Sequence, residues 1–339
     1  MNKFDEMFEF RLAQINEIDK IMEFYRKYWA KKDHLLAINK AFFEYEFRKD
    51  DRLGYFLAIE KATGEIVAAE GVYFYSAKHI PGETDMSTGM FLANPECKVP
   101  LIGIECMKRS IKQLKPRAYV GPGVNMHTAG ALYKKMNWDV KRMNHFYILS
   151  EALTYNIAKI KEKRESQQYY GKQIALKKIS SVEELYNNFN EDVYKKQKPY
   201  KDRWYITHRY FSHPVYQYQV FLAGEETVIV GREIVINGSK VFRIVDILGN
   251  EKNIALLGRA FKDFIQRNNY EYIDLYELGV CKDFLMRGGF IERKENDVNI
   301  IPNYFEPYEC KNVEIYALRW GPDMVCFKAD GDQDRPSIL

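Results

Sequence analysis

Cysteine is scarce in this chain. Its five thiols, Cys97, Cys106, Cys281, Cys310 and Cys326, are scattered over 339 residues, with no pair at the short spacing of a zinc site. The six histidines do not fall near them, so no metal is expected, and reduced thiols suit a cytosol. Long apolar runs are also missing. No stretch approaches the roughly 20 apolar residues that cross a bilayer, and the N-terminus shows no signal-peptide pattern. The expectation is a cytoplasmic chain without a membrane span. Charge of one sign is not concentrated either. Net charge is +4, and the densest basic run, Lys159 to Arg164, is interrupted by Glu162. Without a basic face to displace phosphate counterions, DNA is not an expected partner. Glycine-rich phosphate loops are absent: Gly121-Pro122-Gly123 lacks the third glycine of a dinucleotide fingerprint, and no Walker-type loop occurs.

What is present is globular. Hydrophobic residues make up 46% of the chain, charged residues 29% and aromatic residues 15%, and the length favours two domains. Strand-like runs fall at Phe8 to Leu12, Tyr55 to Glu60, Ile66 to Tyr75, Ser87 to Ala93, Ala118 to Val120 and Val140 to Leu149. Helical spacing marks a helix from Asn16, one at Leu35 to Arg48, one at Pro100 to Leu114 and one at Thr128 to Met136. The same order returns after residue 171: strands at Ile174 to Ile179, Gln217 to Ala223, Val228 to Ile236, Val241 to Leu248 and Tyr272 to Tyr276, with helices at Val182, Arg203, Ile254 and Lys282. Asn237-Gly238 between two apolar runs predicts a hairpin turn. Phe56-Leu57-Ala58 matches Phe221-Leu222-Ala223 at an offset of 165, and Leu132 to Trp138 falls opposite Phe284 to Phe290 at an offset of 152. Shared order and offset point to duplication. The expected division is residues 1–150, a Lys-, Glu- and Gln-rich linker at 151–171, and residues 172–339.

The most informative segment runs Asn125-Met126-His127-Thr128-Ala129-Gly130-Ala131-Leu132-Tyr133-Lys134-Lys135-Met136-Asn137-Trp138, after a strand and into a helix. It resembles the hallmark segment of GNAT-type acyltransferases: Asn, Ala, Leu-Tyr, a basic residue, a turn residue and an aromatic. The resemblance implies an α/β (α+β) chain of two GNAT-like domains, each a mixed, mostly antiparallel sheet flanked by helices. It implies acetyl-CoA or another acyl-CoA as donor, held by Met90, Leu92, Gly103, Asn125, Ala129 and Leu132. It further implies Tyr133 as the general acid for the leaving thiolate, a phenol suited to that proton. A plain alternative for Leu132, Tyr133 and Met136 is the apolar stripe of a packed helix. The second half carries Leu285 where Tyr133 stands, and leucine donates no proton.

The family's Gly-rich pyrophosphate loop is replaced here by Asn94 to Ile104, with one glycine and two prolines, and by Gly249 to Asn253 in the second half. Glu70 falls in step with Ile66, Ala68, Val72 and Phe74, so its carboxyl is a candidate base or a salt-bridged strand residue. Asp246 sits likewise between Phe242, Ile244 and Leu248. Asp85, Ser87 and Asp246 are the candidate acceptor contacts. The tail from Lys328 to Pro336 is Asp-rich, fitting either a solvated or a cleft-lining segment that holds an amine or sugar hydroxyls. The resemblance implies acyl transfer to an amine, on an amino sugar or nucleotide-linked sugar of a surface-glycan pathway. The alternatives are a non-catalytic sugar- or partner-binding protein and a Fem-type transferase using aminoacyl-tRNA.

Overall fold

The computed structural model describes residues 3–29, 33–152, 154–167, 171–321 and 323–337; positions 153 and 168–170 of the expected linker lie outside them. In the first half, β1 (Phe8–Leu12) is followed by α1 (Ile18–Tyr28) and α2 (Lys40–Phe47). The helix expected over Leu35 to Arg48 is broken at Asn39, whose side chain accepts the Phe42 N–H at 3.0 Å and starts α2 afresh. Then come β2 (Tyr55–Glu60), β3 (Ile66–Phe74), β4 (Met86–Ala93), α3 (Ile102–Leu114), β5 (Tyr119–Pro122), α4 (Ala129–Lys135), β6 (Asp139–Arg142) and β7 (Asn144–Leu149).

The second half follows with β8 (Leu176–Ile179), α5 (Val182–Asn188), β9 (Gln219–Ala223), β10 (Thr227–Ile236), β11 (Ser239–Gly249), α6 (Gly258–Asn268), β12 (Tyr270–Leu278), α7 (Lys282–Arg287) and β13 (Ile291–Arg293). β14 (Tyr316–Trp320) and β15 (Cys326–Phe327) complete it, and like β13 they were not foreseen. Asn237 and Gly238 both take positive φ, 50° and 79°, as a two-residue primed hairpin turn between β10 and β11 requires.

Two large mixed sheets result, ordered β1-β2-β3-β4-β5-β14-β6 and β8-β9-β10-β11-β12-β7-β13. The matched triplets Phe56-Leu57-Ala58 and Phe221-Leu222-Ala223 lie on the second strand of each sheet. The sixth place, however, is exchanged. β7, from before residue 150, pairs antiparallel with β12, Phe146 opposite Leu275. β14, from the C-terminal region, pairs with β5 and β6, Leu318 opposite Gly121 and Val140. The single strand expected over Val140 to Leu149 is therefore two strands, parted at Met143, that join different sheets. Sheet pairing crosses the expected boundary at residue 150 in both directions.

Each sheet is covered on both faces. In the first, α3 lays Cys106, Met107 and Ile111 on Phe56, Ala58 and Val72, while α1 and α2 pack Ile21, Met22 and Phe43 on the other side. In the second, Phe261 and Ile265 of α6 meet Phe242 and Ile273. The linker is not free of the fold. Ile157 and Ala158 are buried against Tyr147, Val241 and Tyr272, and the Glu271 carboxylate accepts the Ile157 N–H at 2.8 Å.

Candidate functional site

Each sheet contains one parallel pair that parts. β4 and β5 pair only at Met86–Tyr119 and Ser87–Val120 before separating. β11 and β12 pair up to Ile244–Leu275, after which β11 runs on to Gly249 paired only with β10 on its other edge. Where parallel strands diverge, their carboxyl ends leave an open notch, the usual ligand position in α/β sheets.

At the base of the first notch lies Glu70 of β3, fully buried, accepting a hydrogen bond from the Tyr119 hydroxyl. Among the described residues its second oxygen, Oε2, has no hydrogen-bond partner, nor do the neighbouring Thr88 and Ser110 hydroxyls. Burial pushes the carboxyl up to about 7, against the opposing hydrogen bonds. A carboxyl so placed exchanges its proton near neutral pH. Tyr133 is close enough to feel the Glu70 charge. It is buried, with its ring stacked on Trp138 at 5.2 Å, and burial first, then Glu70, drive its phenol well above the usual range. Leu285, its counterpart at the 152 offset, is likewise buried. Asn137 and Gly289 share a positive φ after their helices, which explains how Asn can replace the family's Gly.

The structure disperses the remaining candidates. Gly103 opens α3 against β4; a Cβ there would stand 3.0 Å from the Phe91 ring. Asn125 is exposed, and its side chain accepts the His127 N–H at 2.9 Å. Ala129 and Leu132 are half-buried on α4 against the apolar cluster, and Leu92 packs on the opposite face of the first sheet. Asp85 is taken by its own chain: Arg117 pairs with it through Nε at 2.9 Å, and the Tyr200 N–H donates at 2.6 Å. Asp246 is buried with the Lys201 ammonium and the Tyr210 hydroxyl upon it. The Ser87 hydroxyl is buried without a partner.

The Asp-rich tail is ordered, and it threads both notches. β15 pairs with the end of β12, and the Ala329 N–H donates to the Val245 carbonyl of β11 at 3.1 Å, closing the floor of the second notch. Asp330 pairs with Lys201 at 2.8 Å and accepts the Tyr75 hydroxyl at 2.8 Å. Gly331 then enters the first notch, where any Cβ would lie 2.9 Å from Pro122 and 3.2 Å from the Thr88 carbonyl oxygen. Met90, with φ of 51°, donates its N–H to the Asp332 carboxylate at 3.3 Å. Asp334 pairs with Arg232 at 3.0 Å, and Arg335 with Glu46 at 2.6 Å.

Two cavities flank this tail. The outer one, about 680 Å³, opens at the mouth of the second notch between Gly249, Glu251, Gly279, Val280 and Phe327. Lys196 and Lys198 line it, and neither has an ion-pair partner among the described residues. The Gln197 side chain takes up the free edge of β11: it donates to the Ile247 carbonyl at 3.1 Å and accepts the Gly249 N–H at 2.7 Å. The inner cavity, about 120 Å³, lies between the halves and is lined by residues including Arg243, Asn303, Lys328, Asp332 and Arg335. Phe327 borders the outer cavity and the next residue, Lys328, the inner one. Burial, then the Arg243 guanidinium, hold the Lys328 amine well below the usual lysine range, so it can accept a proton. None of the residues expected to hold the donor lines either cavity. Lys196, Lys198, Asn303 and Lys328 were not foreseen, because they meet only through long-range contacts; the tail's Asp spacing was the one local signal. Among the described residues no group of three His, Cys, Asp or Glu side chains is placed to hold a metal ion.

No protein-family model and no curated protein matches the chain. Solved structures do match. A GCN5-related N-acetyltransferase from Anabaena variabilis superposes with a TM-score of 0.53 at 9% identity, covering 91% of this chain and 72% of that one. An Enterococcus faecalis protein of unknown function, described as a probable N-acyltransferase, superposes with a TM-score of 0.51 at 10% identity, covering 91% and 71%. At such identity the likeness establishes the fold: two GNAT-like units over nearly the whole chain.

Proposed function

We propose that this protein transfers an acyl group from an acyl-CoA thioester to a small amine, with an amino sugar as the acceptor class. The observation that carries this reading is the pair of cavities separated by a single step of the tail, Phe327 facing one and Lys328 the other. The outer cavity suits the donor's phosphates, because Lys196 and Lys198 lack carboxylate partners and Gly249 leaves the strand end bare of a side chain. The inner cavity suits the acceptor. There Lys328 takes the proton from the acceptor ammonium. The amine nitrogen then attacks the thioester carbonyl carbon, the C–S bond breaks, and the proton the new amide nitrogen must shed passes to the departing thiolate. Proximity supplies most of the acceleration in such a scheme. Tyr133 and Glu70 are assigned to the first half as a proton-holding pair, Tyr133 being the acid if the donor lies there instead.

A second reading has its own support. In both notches the strand edge that a bound donor would pair with is already occupied, by Asp332 on Met90 and by Gln197 on β11. That favours a non-catalytic binding protein. Calorimetric titration with acetyl-CoA separates the two. Micromolar binding is expected for a donor; a folded protein that shows none leaves the binding-protein reading.

A further inference from the structure

The inner chamber contains charges that the protein itself leaves unmatched. Three of its guanidinium groups are satisfied: Arg232 by Asp334 at 3.0 Å, Arg243 by Asp274 at 2.7 Å and Arg335 by Glu46 at 2.6 Å. Lys328 is different. It is 3% exposed, and among the described residues its amine has no carboxylate within ion-pair distance, donating only to the Asn303 carbonyl at 2.9 Å. Two carboxylates lining the same chamber have no cation within ion-pair distance among the described residues. Asp332 accepts from the Met90 N–H and from the neighbouring Gln333 amide at 3.2 Å, and Glu306 accepts from the Tyr216 hydroxyl at 2.9 Å. A charge withdrawn from water without its partner is costly, so burial holds Lys328 towards its neutral amine, and a ligand anion beside it restores the ammonium.

Asn303 adds the second observation. It is 2% exposed, and both its side-chain amide atoms, Nδ2 and Oδ1, lack a hydrogen-bond partner among the described residues. Its backbone is meanwhile fixed, the carbonyl accepting from both Arg243 at 2.7 Å and Lys328 at 2.9 Å. A pinned amide with an unused donor and an unused acceptor is matched by a ligand carrying both. One further donor, Nη1 of Arg335, is also buried and unused. Trp29, Tyr216 and Tyr304 complete the wall with ring faces.

We infer that the chamber between the two sheets binds a small zwitterion, a molecule with an amine and an anionic group on one polar body. Its anion is received by Lys328 and Arg335, its ammonium by Asp332 and Glu306, and its polar body by the Asn303 amide. The inference rests on the acyl-transfer reading only for the ligand's role: the bound amine is then the acceptor. An amino-sugar phosphate and a free amino acid share this chemistry.

Binding is measured by calorimetry on the full chain without any acyl donor. One arm uses glucosamine 6-phosphate, with glucosamine and glucose 6-phosphate as counterparts that carry only the cation or only the anion. The other uses L-glutamine, with L-glutaminamide and N-acetyl-L-glutamine. One zwitterion is expected to bind, its counterparts binding at least about ten-fold more weakly, and Asn303→Leu weakening it about ten-fold. Failure of both zwitterions to bind the wild-type protein, or counterparts that bind equally well, overturns the inference without need of any variant. If a zwitterion binds but acetyl-CoA does not, the chamber stands and acyl transfer falls.

Discussion

Glu70 shows how a single side chain ties stability to pH in this molecule. Its folded carboxyl titrates at about 7, raised by burial, whereas an unfolded Glu titrates near 4.3. The folded protein therefore keeps this proton where the unfolded chain has lost it. The stabilising contribution is complete below about pH 4 and disappears as pH rises through about 7, a change on the order of 3 kcal/mol. Glu277, also raised to about 7 by burial, acts in the same direction. Asp274 acts in the opposite one. Burial disfavours its charge, but Arg243 and His145 outweigh burial and hold it well below the usual range, so its contribution is lost as pH falls. Glu70→Gln keeps the shape and removes the titration. The variant should lose less stability between pH 5 and 8 than the wild type, the difference being Glu70's own share of the slope. Urea unfolding at several pH values checks this, and an unchanged slope would refute the assignment. The strand period marked Glu70 as inward-facing in the sequence, and that much was legible. Its neighbours were not: Tyr119, Thr88 and Ser110 come from two further strands and a helix, and no local pattern joins them.

At the scale of elements, the strand order of each half was readable because each strand sits beside its sequence neighbour through the first five places. The sixth place was unreadable. No glycine or proline interrupts Val140 to Leu149, and nothing in it marks Met143 as the residue where the chain leaves one sheet for the other. β14 is short and follows a long segment with little regular structure, which hid it from a periodicity reading. The exchange has a consequence that can be measured. A fragment of residues 1–150 would present β5 and β6 without β14 between them, and would carry β7 with no sheet to join. Unpaired backbone at an interior place in a sheet is costly and promotes aggregation. The fragment is expected to be insoluble or to lack dispersed amide resonances, and to recover them when refolded with residues 151–339. A fragment that folds alone would show that the halves are autonomous and that the exchange is dispensable.

For the whole molecule, the proposed acyl transfer requires one notch to take the donor, and the two halves offer opposite credentials. The first has the hallmark segment, with Tyr133 beside Glu70, but its notch is filled by Gly331 and Asp332. The second has Leu285 in place of the tyrosine, yet it opens into the large cavity with two unpaired lysines. Sequence resemblance marked the first half because the motif is local. Space and charge point to the second because they are assembled from the loop at 193–198, the end of β11 and the tail. The double substitution Lys196→Glu and Lys198→Glu reverses charge at side chains that hold no ion pair, so folding should be little affected. In the second-half arrangement it should weaken acetyl-CoA binding by about ten-fold or more, and flatten the salt dependence of the affinity. Tyr133→Phe should leave the same affinity unchanged there. The reverse pattern, with the lysines silent and Tyr133→Phe lowering turnover at constant affinity, would place the donor in the first notch. That arrangement requires the tail from Gly331 to Asp332 to leave the notch before the donor enters. Binding would then be slow and would loosen the tail, visible as faster amide exchange at Asp332 and Met90 when acetyl-CoA is present.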